Sequence, residues 1–148
     1  MKIAHQESRI VAIGPERMFD LVADVERYPE FLPLISQAQV VNRAATAYET
    51  EQVLAMGVFS YRFHTHTALD RPRSIIITSA DPGFRRFEIH WAFAPAPSDG
   101  CRIDFSLDCE ARSPWLRSMI DAWARPMALM MVEAFLVRAR ALDGAGHG

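Results

Sequence analysis

The chain predicts an α+β domain: an antiparallel sheet covered on one face by a single long helix near the C-terminus. Three observations carry this expectation. Segments between residues 36 and 111 alternate apolar and polar side chains with a period of two, the turns between them are too short for helical crossovers, and the longest element, from Ser113 onward, repeats its apolar residues at helical spacing.

Residues 3–13 read as a first strand. Gly14-Pro15 then opens a helix with proline in the first turn, where its missing N–H costs nothing. Met18, Leu21, Val22 and Val25 follow at i, i+3, i+4 and i+7 and give that helix one buried face. The next segment is Tyr28-Pro29-Glu30-Phe31-Leu32-Pro33. Each proline fixes its own φ and biases its predecessor away from the helical region, which predicts Tyr28 and Leu32 extended with Phe31 between them, a clamp suited to the mouth of an apolar cavity.

Six further strands are predicted over 36–44, 47–56, 59–69, 73–79, 84–94 and 100–111. Phe59, Tyr61, Phe63 and Leu69 share one face, with Arg62, His64, His66 and Asp70 on the other. Phe87, Ile89, Trp91 and Phe93 oppose Arg86, Glu88 and His90. Cys101, Ile103, Phe105, Leu107 and Cys109 oppose Arg102, Asp104, Asp108 and Glu110. One face is apolar and one is wet, as in an antiparallel sheet covered on a single side. Asp70-Arg71-Pro72, Asp81-Pro82-Gly83 and Pro97-Ser98-Asp99-Gly100 are hairpin connections, so the sheet is expected to be a meander.

The covering helix starts with Ser113 as N-cap and Pro114 in the first turn and is expected to run to about Leu142, leaving 143–148 as a disordered tail. At roughly 100° per residue, Trp115, Met119, Trp123, Met127, Met130, Met131, Ala134, Phe135 and Val137 fall on one broad face. Four of the seven methionines stand there (Met119, Met127, Met130 and Met131), and flexible thioethers conform to irregular or exchangeable contents. Pro126 removes a mid-helix hydrogen bond and predicts a kink that arches the helix over a void. On the outward side Leu129, Val132 and Leu136, flanked by Arg125 and Arg140, offer a contact to a membrane surface or a protein. The proline clamp and the methionine stripe suit a filled core as well as a binding cavity.

At 148 residues, half of them apolar and 23% charged, the chain is sized for one globular domain over 1–148. A net charge of −2 makes no electrostatic case for DNA as a partner. Lys2 is the only lysine among the 16 basic residues, so guanidinium groups carry nearly all the positive charge. Cys101 and Cys109 lie roughly 26 Å apart along one strand and cannot pair, which makes them core residues of a reducing compartment. Met1 to Arg9 is polar where a secretory signal needs an apolar run, and Glu133 interrupts the longest apolar span, so a cytoplasmic location is expected.

Little of the polar complement points to chemistry. His64, His66 and His90 have no cysteine or carboxylate at a ligand spacing that would complete a metal site, and none is expected. There is no Gly-rich phosphate loop, no G-x-S-x-G elbow and no activated cysteine, so the expectation is a protein that is not an enzyme. Arg138 stands inside the apolar stripe of the helix, where it must be paired or must anchor a ligand oxygen. Arg138 and Tyr48 are the ionisable groups that chemistry inside such a cavity would have to use. Arg71, Arg73, Arg85 and Arg86 gather near two hairpin ends as a local basic patch.

Taken together, Tyr28-Pro29-x-Phe31-Leu32-Pro33, Pro82-Gly83-Phe84, Trp91-x-Phe93 and Phe135-x-Val137-Arg138-Ala139 resemble the coenzyme Q-binding and RatA-like branch of the START-like polyketide cyclase superfamily, over about residues 8–142. The resemblance implies a helix-grip (START-like, Bet v 1-like) fold in which a curved sheet wraps the long helix and leaves an elongated apolar tunnel. It implies binding of ubiquinone or a similar apolar lipid in support of respiratory electron transport. Its RatA-like members imply instead a toxin that binds the large ribosomal subunit and blocks subunit association, and the wider superfamily implies a polyketide aromatase or cyclase. The chain departs from the pattern at Ile35, where a cysteine is common, and at Ile89-His90, where a glycine pair usually precedes the tryptophan. The ligand-binding residues expected from the converging elements are Tyr28, Phe31, Leu32, Tyr48, Phe63, Phe87, Trp91, Phe105, Met119, Trp123, Met127, Met130, Met131 and Arg138. Ubiquinone or a related lipid is then a bound ligand and not a required cofactor, and the protein would work in the cytoplasm or at the inner face of the plasma membrane.

Overall fold

The computed structural model describes residues 2–146, and side chains over 4–122 and 125–142. Its strands are β1 (Lys2–Val11), β2 (Ile35–Arg43), β3 (Ala47–Met56), β4 (Phe59–Asp70), β5 (Ser74–Thr78), β6 (Phe84–Ala96) and β7 (Gly100–Ala111). They form one antiparallel sheet in the order β1-β7-β6-β5-β4-β3-β2. Strands β2 to β7 are the expected meander, and the first strand returns to pair with the last, Lys2 opposite Glu110 through Val11 opposite Cys101. The strand limits fall within about two residues of those expected.

The turn into β7 shows why local sequence sets the register. Ser98 and Asp99 have φ of 62° and 59°, the paired left-handed positions of a hairpin turn that follows the twist of its strands. At Gly100 a Cβ would come within 2.4 Å of the Val11 carbonyl oxygen, so β1 can lie against the start of β7 only where there is no side chain.

Helix α1 (Pro15–Ala23) buries Met18, Phe19 and Val22 against the sheet. The next residues, Val25–Glu30, form a 3₁₀ turn with Pro29 inside it. Tyr28 is therefore not extended as the proline rule predicts. Its carbonyl accepts from the N–H of Phe31 at 3.1 Å and of Leu32 at 2.8 Å, and its ring is buried with the hydroxyl donating to Val22 O. Those contacts outweigh the modest bias that a following proline imposes. Tyr48, from β3, donates to the neighbouring Ala23 O at 2.8 Å, so two tyrosines satisfy carbonyls that the end of α1 leaves open.

The C-terminal helix is not continuous α. Helix α2 (Pro114–Met119), with the Ser113 side chain accepting from Leu116 N–H, leads through a π turn (Ile120–Ala124) into α3 (Arg125–Gly146). In the π turn Arg125 N–H reaches back to Ile120 O, one residue further than in an α-helix, directly before the proline that cannot donate. Residues 143–146, expected in a disordered tail, continue the helix, and 147–148 lie outside the described residues.

The extra residue in the π turn rotates everything after it, and the helix face expected from uniform spacing is therefore partly wrong. The buried set is Leu116, Ile120, Ala128, Met131, Val132, Phe135, Leu136 and Ala139. Met130 and Val137, expected inside, are exposed; Trp115, which precedes the π turn, is also exposed and meets the ring of Phe59 instead of the core. Of the expected outward stripe only Leu129 is exposed, while Val132 and Leu136 are among the most deeply buried side chains, which removes that stripe as a membrane contact. Its flanking arginines pair on the surface, Arg125 with Asp121 and Arg140 with Glu133.

Candidate functional site

Between the sheet and α3 lies an apolar cavity of about 100 Å³. The inward faces of β2 to β7 supply most of its wall, because alternate residues of a strand point to the same side. Of the expected ligand-binding residues, Tyr28, Leu32, Phe63, Phe87, Trp91, Phe105, Met127 and Met131 line it. Phe135 is wedged against Tyr28 and Trp91 with ring centroids 5.3 and 5.0 Å away, and Trp91 meets Phe105 at 4.7 Å. These edge-on rings are part of the cavity wall.

A second apolar groove, of about 620 Å³, lies on the outer side of the same wall. Phe31, Met130 and Arg138 line it and not the inner cavity. Leu32 and Met127 line both spaces, one leucine and one unbranched methionine facing each of them. Methionine has the rotatable bonds to move aside at small cost. Met119 packs against the core without lining either space, Tyr48 is turned toward α1, and the side chain of Trp123 lies outside the described residues.

Arg138 sits at the edge of the groove. Its guanidinium pairs with Glu30 and stands over the Phe31 ring, 5.4 Å from the centroid. Its Nε is buried with no hydrogen-bond partner among the described residues. A buried donor of this kind costs stability unless something else accepts from it.

Two polar residues of the cavity wall, Gln52 and Thr65, were missed from the sequence. The Gln52 amide donates to Thr50 Oγ1 at 3.0 Å and to Thr65 Oγ1 at 3.5 Å, and the two hydroxyls are 2.5 Å apart. The signal was in the parity. Thr65 is in phase with Phe63, and Gln52 with Tyr48 and Leu54, so both had to face inward.

Two phenols and one thiol of the site are shifted upward by burial. Burial pushes the Tyr28 phenol well above its ordinary value, assisted by Tyr48 and Asp24. Burial likewise pushes Tyr48 up to about 12 and the cavity-lining Cys109 thiol up to about 12. Both phenols already donate to backbone carbonyls. Among the described residues no group of three or more His, Cys, Asp or Glu is placed to hold a metal. The basic patch is neutralised in place: Arg71 pairs with Asp20, Arg73 with Asp70, Arg85 with Glu110 and Arg86 with Asp108. No helix among the described residues is long and apolar enough to cross a membrane.

The family model for polyketide cyclase / dehydrase and lipid transport proteins matches residues 11–136, which include every strand from β2 to β7 and most of α3. The chain belongs to this family. Within it, the ribosome association toxin RatA of Pseudomonas aeruginosa is 32% identical over 94% of this chain and 96% of its own length. The mitochondrial coenzyme Q-binding protein COQ10 homolog B of Xenopus laevis is 24% identical over 97% of this chain and 60% of its own. Among solved structures, the Zhui aromatase/cyclase from Streptomyces sp. R1128 superposes with a TM-score of 0.80 at 13% identity, covering 95% of this chain and 94% of that one. That likeness establishes the START-like helix-grip fold of this family member, and the fold alone.

Proposed function

We propose that this protein binds an isoprenoid quinone or a similar apolar lipid, with ubiquinone the expected ligand, and holds it without chemical change. The observation that carries the reading is an apolar cavity beside an apolar groove, with Leu32 and Met127 lining both. A prenyl unit of five carbons gains about 4 kcal/mol when buried, before ordering costs, which favours any chain end that enters. The inner cavity takes such an end, and displacement of Met127 lets the remainder lie along the groove. Arg138 lines that groove, and a shift of its side chain would bring its buried, unpartnered Nε–H to a ligand's carbonyl oxygen. Binding sites for apolar ligands combine walls of this kind with a few polar groups that fix orientation. No described side chain in the cavity is poised as a base or nucleophile, since its phenol and thiol are both driven toward their neutral forms.

Titration with a short-chain ubiquinone, read by quenching of tryptophan emission, tests this directly because Trp91 lines the cavity. Saturable quenching that a saturated lipid reverses is expected; linear, non-saturable quenching contradicts the proposal.

A second reading, ribosomal-subunit binding, is favoured by the 32% identity to a ribosome association toxin across nearly the whole chain. Its electrostatic support is weak, because the four clustered arginines are each paired with a carboxylate. Salt-sensitive co-sedimentation with large subunits is its test.

A further inference from the structure

We propose that the tip of the β3–β4 hairpin and the start of α2 form a docking surface for an anionic lipid bilayer. Val58 in the hairpin turn is 95% exposed, Phe59 is 48% exposed and Trp115 is 51% exposed. The last two form an edge-on ring pair with centroids 5.8 Å apart, so the three residues make one apolar projection drawn from two elements. Gly57, with φ of 66°, turns the chain sharply enough to put Val58 at the apex.

Two arginines without carboxylate partners among the described residues stand beside this projection. Arg112 and Arg117 bracket Trp115 in sequence. Arg112 Nε donates to Pro82 O at 3.2 Å, and Arg117 donates to Ala111 O at 3.2 Å and Arg112 O at 3.4 Å. Neither meets a carboxylate among the described residues, whereas Arg62, Arg71, Arg73, Arg85, Arg86 and Arg102 all do. Two guanidinium charges without a carboxylate partner are thus left beside exposed indole, phenyl and isopropyl groups. A bilayer interface accepts this combination: aromatic rings at the headgroup level, an aliphatic tip below them, and guanidinium groups on phosphates.

The patch is also continuous with the interior. Phe59, Tyr61 and Phe63 follow one another on the same face of β4, passing from exposed to buried. Phe63 lines the cavity, and Tyr61 contacts Phe84, another wall residue, at 5.8 Å between centroids. A lipid leaving a membrane at this surface would meet a row of aromatic rings leading to the cavity.

The proposal goes beyond the quinone reading and is measured without quinone. Purified full-length protein is floated with phosphatidylcholine vesicles that contain or lack phosphatidylglycerol, at low and high salt. Binding to anionic vesicles that weakens with salt is expected. Val58→Glu, a change at an exposed apex, should weaken it about tenfold, and Arg112→Gln with Arg117→Gln should remove the preference for anionic lipid. Brominated lipids should quench tryptophan emission, less so in Trp115→Phe. No flotation with anionic vesicles at low salt, or flotation that Val58→Glu leaves unchanged in a normally folded protein, overturns the proposal. Vesicle binding without quinone uptake would leave the surface standing and remove the carrier, and the opposite result would do the reverse.

Discussion

Ala128 lies on α3, is buried and faces the inner cavity, which makes Ala128→Leu a direct probe of whether that space is open. The substitution adds three carbons. Taking each at the roughly 30 Å³ a water claims in the liquid, they occupy about 90 Å³, which a cavity of about 100 Å³ can accept. At about 0.8 kcal/mol per buried carbon the gain is up to about 2.4 kcal/mol, and lost rotamer freedom removes about 0.5–1. The lipid-free protein should therefore become more stable by about 1–2 kcal/mol, a rise in Tm of about 3–6 °C for a chain of this size. The same change should suppress quinone quenching, because the added isobutyl group occupies the ligand's place. Thermal unfolding of delipidated wild type and variant is the assay. A loss of about 1–3 kcal/mol, the usual result of inserting a larger side chain into a packed core, would refute the reasoning.

Three further outcomes follow from the contacts described. Gly100→Ala places a methyl group 2.4 Å from Val11 O and should cost about 1–3 kcal/mol in urea unfolding by prising β1 from β7; an unchanged midpoint would show that the strands part freely. Alkaline pH should destabilise the fold. The folded-state pKa of Cys109 is raised from 9.0 to about 12 and that of Tyr48 from 10.0 to about 12, so the unfolded chain releases these protons first. Stability is then lost from about pH 9 for the thiol and about pH 10 for the phenol, at roughly 1.4 kcal/mol per pH unit for each group, and Cys109→Ala should make the loss above pH 9 shallower without abolishing it, because burial also raises the Cys101 thiol. Arg138→Met should weaken quinone binding by about tenfold while changing stability by less than about 1 kcal/mol, since the lost ion pair with Glu30 is near the surface. Equal affinities would remove Arg138 from the site.

Most of the fold was legible because sheet periodicity and turn chemistry agree. The alternation of Phe87, Ile89, Trp91 and Phe93 and the Pro97–Gly100 turn each define their strands without reference to anything distant. The helix face was misread on both sides of the π turn: before it Trp115 was expected inside, whereas Leu116 and Ile120 are the buried residues. Pro126 signalled a disturbance, but its form, a π turn that adds one residue, depends on the backbone before it, and so Met130 and Val137 were expected inside and Val132 and Leu136 outside. Tyr28 was misplaced for a similar reason: the proline rule is local, whereas the hydroxyl's bond to Val22 O and the ring's burial under Phe135 are tertiary. In the site, large apolar residues drew attention and polar ones did not. Gln52 and Thr65 line the cavity because strand parity leaves them no other direction.

The measurement that bears most directly on the central claim is organic extraction of the protein purified from a quinone-producing host, followed by mass spectrometry. A prenylated quinone recovered in near-stoichiometric amount, and depleted in Ala128→Leu, is the predicted result. Protein that is folded, ribosome-free and devoid of any extractable lipid would contradict it.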